Sequence, residues 1–393
     1  MMNDMFVEVD YCQKQKAGNE ICGDVFLSQK ISAENRTISI LSDGLGSGIK
    51  ANILASMTGS MAMNFMKANA PIQHTAKIIM NTLPMDTVRK VSFSSFTIID
   101  IQDNERVKLM EYGNPGALIW KQGKLFEPEK KRIDIERTNV KHGLYISEFD
   151  VNLNDRIIIF SDGVIQSGIG SEQMPFGWGR QPLTDFLHRY LEGNEHVSAG
   201  DVSYAILKES LKNDHFQAKD DITCGTIFLR PPRKVLFCTG PPYKQENDAY
   251  LAEQVLNFQG HKIISGGTTA QILSRQLNCE VDVNINNAFE GLPPESTMEG
   301  VDLVTEGILT IGKVSEYLQK LDQLRGDIPG PAGKIIKYFY QNDAVYFLVG
   351  TRVNEAHQDP NLPVELEIRR NVIKKIARLL EEKFLKKTEI TYI

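Results

Sequence analysis

The sequence is poor in most features that would single out a specialised class of protein. It has only five cysteines, an odd number, at positions 12, 22, 224, 238 and 279. With no CxxC pair and no regular spacing they form neither a disulfide framework nor a zinc site, and read as free thiols. No apolar run approaches the ~20 residues of a membrane-crossing helix. There is no basic excess: 44 Lys and Arg stand against 50 Asp and Glu, a net charge of -6. That excludes the electrostatic footprint of a nucleic-acid or anionic-membrane binder. The opening residues, MMNDMFVEVD, lack the basic start and apolar core of a signal peptide, so a cytoplasmic protein is expected. Repeats and low-complexity tracts are absent. The seven histidines fall outside every motif below and read as surface or packing residues.

What is present is an ordinary globular composition, 41% hydrophobic and 24% charged over 393 residues. At ~150 residues per domain this length predicts two or three domains. Strands are expected at 5–11, 21–29, 37–42, 93–101, 106–112, 116–120, 155–161 and 221–229, each rich in Val, Ile, Phe or Thr and bounded by Gly, Asn or Asp. Helices are expected near 49–65, 72–83, 181–192 and 199–212. The first carries Ile49, Ile53, Met57, Met61 and Phe65 at i+4 spacing, which reads as one apolar stripe. Strand runs set apart from paired helices predict an α+β layering, antiparallel sheets with helices outside.

At RPPRK (Arg230 to Lys234) the pattern changes, and two prolines make a boundary. Beyond it, strands (KVLFCTG, HKIIS, VDLVTEG, AVYFLVG) mix with helices (NDAYLAEQVLNFQ, TTAQILSRQL and about 364–386). This predicts a separate α/β domain with a mostly parallel sheet. The expected division is 1–230 and 231–393.

Four acidic sites in the first part stand at strand ends or tight turns: Asp24 in ICGDVFL, Asp43 in LSDGLGSG, Asp162 in FSDGV and Asp220 in KDDIT. Clustered carboxylates repel, and burying them is costly without a cation. An oxygen-only donor set suits hard ions, Mg²⁺ or Mn²⁺. Glycine after the aspartate permits an unusual backbone angle and lets the Gly44 carbonyl face a metal as well. Singly, each aspartate could instead cap a turn or helix.

In combination and order, GDVF, SDGLGSG, SDGV and DDIT resemble the metal-dependent serine/threonine protein phosphatases of the PPM type. The likeness is to the bacterial branch typified by stage II sporulation protein E and the stress-response phosphatases. SSFTIIDI and YGNPGALIWKQGK are similar to that branch's central strands. The resemblance spans about residues 1–230. It implies a sandwich of two antiparallel sheets flanked by helices, and two Mn²⁺ or Mg²⁺ ions. Asp43 would bridge the ions, with Gly44 on one of them and Asp24, Asp162 and Asp220 as further ligands; Asp221 would stand behind these. It also implies a phosphorylated protein as substrate, hydrolysed by a metal-activated water, with Asp43 and Asp162 as the catalytic carboxylates. Two departures stand out. The eukaryotic members' histidine after the first Asp-Gly is Leu45 here, and IQSGIG replaces the acidic continuation often found after Asp162. A catalytically degenerate fold serving as a scaffold is the alternative.

In the second part, HKIISGGTTAQIL sets Gly266, Gly267, Thr268 and Thr269 between a strand and a helix. Backbone amides at a helix start, with two hydroxyls, make a candidate site for a small anionic ligand. Thr268 or Thr269 could equally cap the helix. The segment is not a P-loop, since GK[ST] is missing. The loops in CTGPPYKQEND and LVTEGILT would join it at one sheet edge, giving a regulatory or ligand-sensing domain.

Overall fold

The computed structural model describes residues 5–31, 34–82, 94–137, 140–194, 196–283, 295–321, 328–352, 362–384 and 386–393. The chain forms two compact units, Met1–Pro231 and Pro232–Ile393.

The first unit contains, in order, β1 (Phe6–Lys14), β2 (Asp24–Ile31), β3 (Arg36–Gly44), α1 (Ile49–Lys67), α2 (Ile72–Thr82), β4 (Ser94–Gln102), β5 (Arg106–Tyr112), β6 (Leu118–Lys121), β7 (Lys124–Phe126), β8 (Lys131–Arg137), β9 (Val140–Asp150), β10 (Arg156–Phe160), α3 (Asp162–Gln166), α4 (Arg180–Leu191), α5 (Ala199–Asn213) and β11 (Ile222–Arg230). Two sheets result. One has the order β1-β11-β10-β6-β7, the other β2-β3-β4-β5-β9-β8, and their neighbours pair antiparallel. Alternate side chains from both sheets, among them Val7, Leu41, Ile99, Leu109, Ile157 and Ile227, fill the layer between them. The opposite face of β3 and β4 packs on α1 and α2 through Ile38, Ile40, Met66, Ile79 and Phe96. The outer face of β10 and β11 packs on α4 and α5. The fold is the α+β sandwich flanked by helices.

Two local features were not legible in the sequence. Most of the i+4 stripe of α1 points away from the core: Ile49, Ile53 and Met57 are 60%, 52% and 47% exposed, while Met61 packs partly buried against it. The buried face is Ala51, Ala55, Thr58, Gly59 and Ala62 with Met63 and Met66. Small side chains let the helix approach the sheet closely; larger ones would hold it off. Strands β8 and β9 were not anticipated. In KRIDIER Ile133 and Ile135 pack inward, and the charged residues around them on this outermost strand mask the period-2 signal.

The second unit contains β12 (Lys234–Thr239), α6 (Asp248–Asn257), β13 (His261–Ser265), α7 (Gly267–Leu277), β14 (Val281–Val283), β15 (Ser296–Met298), β16 (Val301–Thr305), α8 (Ile308–Lys320), α9 (Gly330–Gln341), β17 (Ala344–Val349), α10 (Leu362–Phe384) and β18 (Lys387–Tyr392). The sheet order is β14-β15-β16-β13-β12-β17-β18. From β16 through β18 neighbouring strands are parallel; β14 and β15 are antiparallel additions at one edge. Helices cover both faces. Phe237, Ile263 and Phe347 pack with α8, α9 and α10, while Cys238, Ile264 and Val304 pack with α6 and α7. This is a doubly wound sheet, whose strand order reverses direction at β12.

Candidate active site

The sequence motifs lie at the ends of their strands, some at the start and some at the finish. Antiparallel pairing of β2 with β3 sets Asp24 directly opposite Asp43. Like charges directly opposite in a ladder destabilise it, so this pair needs a proton or a cation between its members. From the other sheet, Asp162 opens α3 after β10, and Asp220 and Asp221 precede β11, the neighbour of β10.

The four sites act on one another electrostatically. Asp43 is driven far above the usual carboxylate range, first by burial and then by the charges of Asp24, Asp162 and Asp220. Asp24 is also raised, mainly by burial, against the lowering effect of the Ser161 and Thr223 hydroxyls. Asp162 is raised by burial and by Asp220, and Asp220 by burial, partly offset by the Asp221 amide and Lys16. The fold thus gathers four carboxylates that the sequence spreads over almost 200 residues, and holds them against their mutual repulsion.

Both Asp-Gly pairs owe their glycine to close backbone approach. A Cβ on Gly44 would stand 2.1 Å from the Ala51 carbonyl oxygen of α1, and one on Gly163 would stand 2.2 Å from the Asp221 carbonyl oxygen. Neither has a positive φ, so the unusual backbone angle expected at Gly44 is replaced by this steric requirement. The serines of both Ser-Asp-Gly motifs are buried and tie strands together. Ser42 Oγ lies 2.9 Å from Ser94 Oγ, and the Ser94 hydroxyl donates to the Asp43 carbonyl (3.0 Å). The Thr223 amide donates to Ser161 Oγ (3.0 Å). Sequence reasoning assigned no role to these serines, although their recurrence beside each aspartate was visible. It also missed Lys16, whose amide donates to Asp221 Oδ1 (3.0 Å) and whose Nζ lies 3.9 Å from Asp220 Oδ1. No local pattern around Lys16 marks it.

Among the described residues no group of three or more Asp, Glu, His or Cys side chains is drawn together tightly enough to hold an ion. The donor set nonetheless fits hard cations. Asp24 Oδ2 and Asp221 Oδ2 are buried without a hydrogen-bond partner, and a carboxylate oxygen buried in that way calls for a positive partner. Every side-chain donor is oxygen, the set preferred by Mg²⁺ and Mn²⁺. The Cys22 thiol, two residues before Asp24, is buried and pushed up to about 12 by burial and by Asp24. The anion-site residues Gly266, Gly267, Thr268 and Thr269 belong to the second unit, at the turn from β13 into α7.

The family model described as stage II sporulation protein E (SpoIIE) matches residues 33–229, half of the chain. No curated protein matches. Solved structures do. The phosphatase domain of the cell fate determinant SpoIIE from Bacillus subtilis, in a crystal form without domain swapping, is 16% identical; the match covers 58% of this chain and 94% of that one, with a TM-score of 0.44. A structure of the same phosphatase domain with a fragment of the regulatory domain is also 16% identical, covering 57% of this chain and 64% of that one at a TM-score of 0.46. RsbX in complex with magnesium is 18% identical, covering 57% and 95% at a TM-score of 0.39. These identities and scores are too low for the structural likenesses to carry an argument of their own.

Proposed function

The chain belongs to the stage II sporulation protein E family, and from that membership we propose that its first unit is a metal-dependent phosphatase acting on phosphoserine or phosphothreonine in a regulatory protein. The observation that carries this reading is the convergence of Asp24, Asp43, Asp162 and Asp220 from both sheets, each held at a raised pKa by burial and by its neighbours. Structural ion pairs do not explain such a cluster, because Asp24 and Asp43 face each other and not a cation.

In this reading Asp24, Asp43, Asp162 and Asp220, with the Gly44 carbonyl, would hold two Mn²⁺ or Mg²⁺ ions, which when bound would acidify a water and offset charge on phosphoryl oxygens. The chain's own residues do the positioning. The Ser94 hydroxyl fixes the Asp43 carbonyl. Asp221, tied to the Lys16 amide, stands behind Asp24 and Asp220. The Lys16 ammonium, at the rim beside Asp220, attracts an incoming phosphate. Leu45, the residue after the first Asp-Gly, offers no proton to the departing serine oxygen. To the second unit we assign a regulatory or ligand-sensing role.

Hydrolysis of a phosphoserine peptide in the presence of Mn²⁺ or Mg²⁺, and its loss in excess EDTA, is the expected result. Undiminished turnover in EDTA would overturn the two-metal reading. A chain that binds the ions but releases no phosphate would be the scaffold instead.

A further inference from the structure

The parallel sheet of the second unit ends in three loops along one edge. Register sets Thr239, Ser265 and Thr305 side by side at the carboxyl ends of β12, β13 and β16, the edge at which open α/β sheets bind ligands. Two of these loops run directly into helices, Gly266 into α7 and Glu306–Gly307 into α8. They touch. A Cβ on Gly307 would lie 3.5 Å from the Gly266 Cα, and the Gly266 amide donates to the Thr305 carbonyl (2.8 Å). The amino ends of α7 and α8 therefore lie together. Neither helix has a side-chain cap or an acidic residue in its first turn, so two positive dipole ends share one place.

An independent observation points to a ligand there. Thr269 and Thr310 each occupy the third position of their helix. They are 1% and 0% exposed, and each hydroxyl is buried without a hydrogen-bond partner. A buried hydroxyl left unbonded is costly. The Thr269 hydroxyl points back at the start of its helix, 3.3 Å from where a Cβ of Gly266 would stand. Access is open: Gly267 and Thr268 are exposed, and a Cβ on Gly267 would meet nothing within 4 Å.

We propose that the paired amino ends of α7 and α8 bind the phosphate group of a small molecule, through the amides of Gly267 and Thr268 and the Thr268 and Thr269 hydroxyls. Phosphate suits the site better than carboxylate because it offers more acceptor oxygens to donors that come from several directions. One group opposes it. The Glu306 carboxylate accepts from the Gly307 amide (2.5 Å) and sets a like charge at the rim, which makes it a handle on affinity. The site belongs to the second unit alone and does not depend on the phosphatase reading of the first.

The test is calorimetric titration of inorganic phosphate and, separately, of AMP into the full-length chain, with EDTA present so that the carboxylate cluster carries no metal. Saturable binding is expected, with tighter binding of AMP if the phosphate belongs to a nucleotide and of phosphate alone if it is the free ion. Gly267→Asp brings a carboxylate to the first helical position, where there is room for it, and should weaken binding about tenfold or more. Glu306→Gln should tighten it several-fold. Absence of saturable binding by the folded chain up to about 10 mM of either probe, or affinity unchanged in Gly267→Asp, would overturn the proposal. Metal-dependent peptide hydrolysis is read in a separate assay, so the failure of one proposal does not touch the other.

Discussion

Asp43 is the residue on which the first unit's clustered carboxylates converge. It faces Asp24 across the ladder, feels Asp162 and Asp220 from the other sheet, and is held at its carbonyl by Ser94. Replacement by Asn keeps the shape and removes the charge. We expect Asp43→Asn and Asp162→Asn each to lower metal-dependent turnover about 100-fold or more. The same change in Asp43 should raise the melting temperature of the metal-free chain near neutral pH, because burial and the neighbouring carboxylates force Asp43 to take up a proton on folding and Asn needs none; a thermal melt in EDTA checks this. The pH dependence follows from the same shifts. Raised folded-state pKa values mean that the native state binds more protons than the unfolded chain above the ordinary carboxylate range, near pH ~4. Stability of the metal-free chain therefore falls as pH rises from there through neutrality. Denaturant midpoints across that range should decline in EDTA, and decline less with Mg²⁺ present, which replaces the protons.

At the scale of elements, the unit from β3 to α1 is held by contact between backbones. The Ala51 carbonyl stands where a Gly44 side chain would be, and the small residues Ala51, Ala55, Gly59 and Ala62 line the buried face of α1. Gly44→Ala should destabilise the first unit by about 1–3 kcal/mol through overpacking, since the opposing atom is main chain and cannot swing aside. It should also cut activity by displacing the carbonyl beside Asp43. Chemical denaturation and the peptide assay read the two effects. The apolar spacing of Ile49, Ile53 and Met57 suggested a helix and was right in that. It did not give the buried face, because the decisive quantity is how near the helix must come to the sheet, not how much apolar surface each residue carries.

For the whole molecule, the expectation concerns independence. Each unit has its own core, the first between two sheets and beneath their helices, the second on both faces of one sheet. Fragments ending at Pro231 and beginning at Pro232 should each unfold cooperatively, with a midpoint within a few degrees of a transition in the full chain. The first fragment should retain metal-dependent hydrolysis. A first fragment that is soluble only when joined to the second would show that the units stabilise one another.

The sequence by itself determined the fold classes, the proline boundary and the placing of four aspartates at strand ends and turns, because these are local: period-2 apolar strands, turn residues, and Asp-Gly at a strand's end. The tertiary structure decided what those residues do together. Only pairing of β2 with β3 brings Asp24 opposite Asp43, and only the adjacency of β10 and β11 brings Asp162 near Asp220. The roles of Ser42, Ser161 and Lys16 and the steric reason for Gly44 and Gly163 came from contacts with distant segments, for which no local period exists. In the second unit Gly-Gly-Thr-Thr was legible as a turn into a helix. That a second helix, α8, begins beside it, with a matching buried threonine, follows from the parallel register of β13 and β16. Neighbours in a sheet are fixed by the packing of the whole chain, and spacing along the sequence does not encode them.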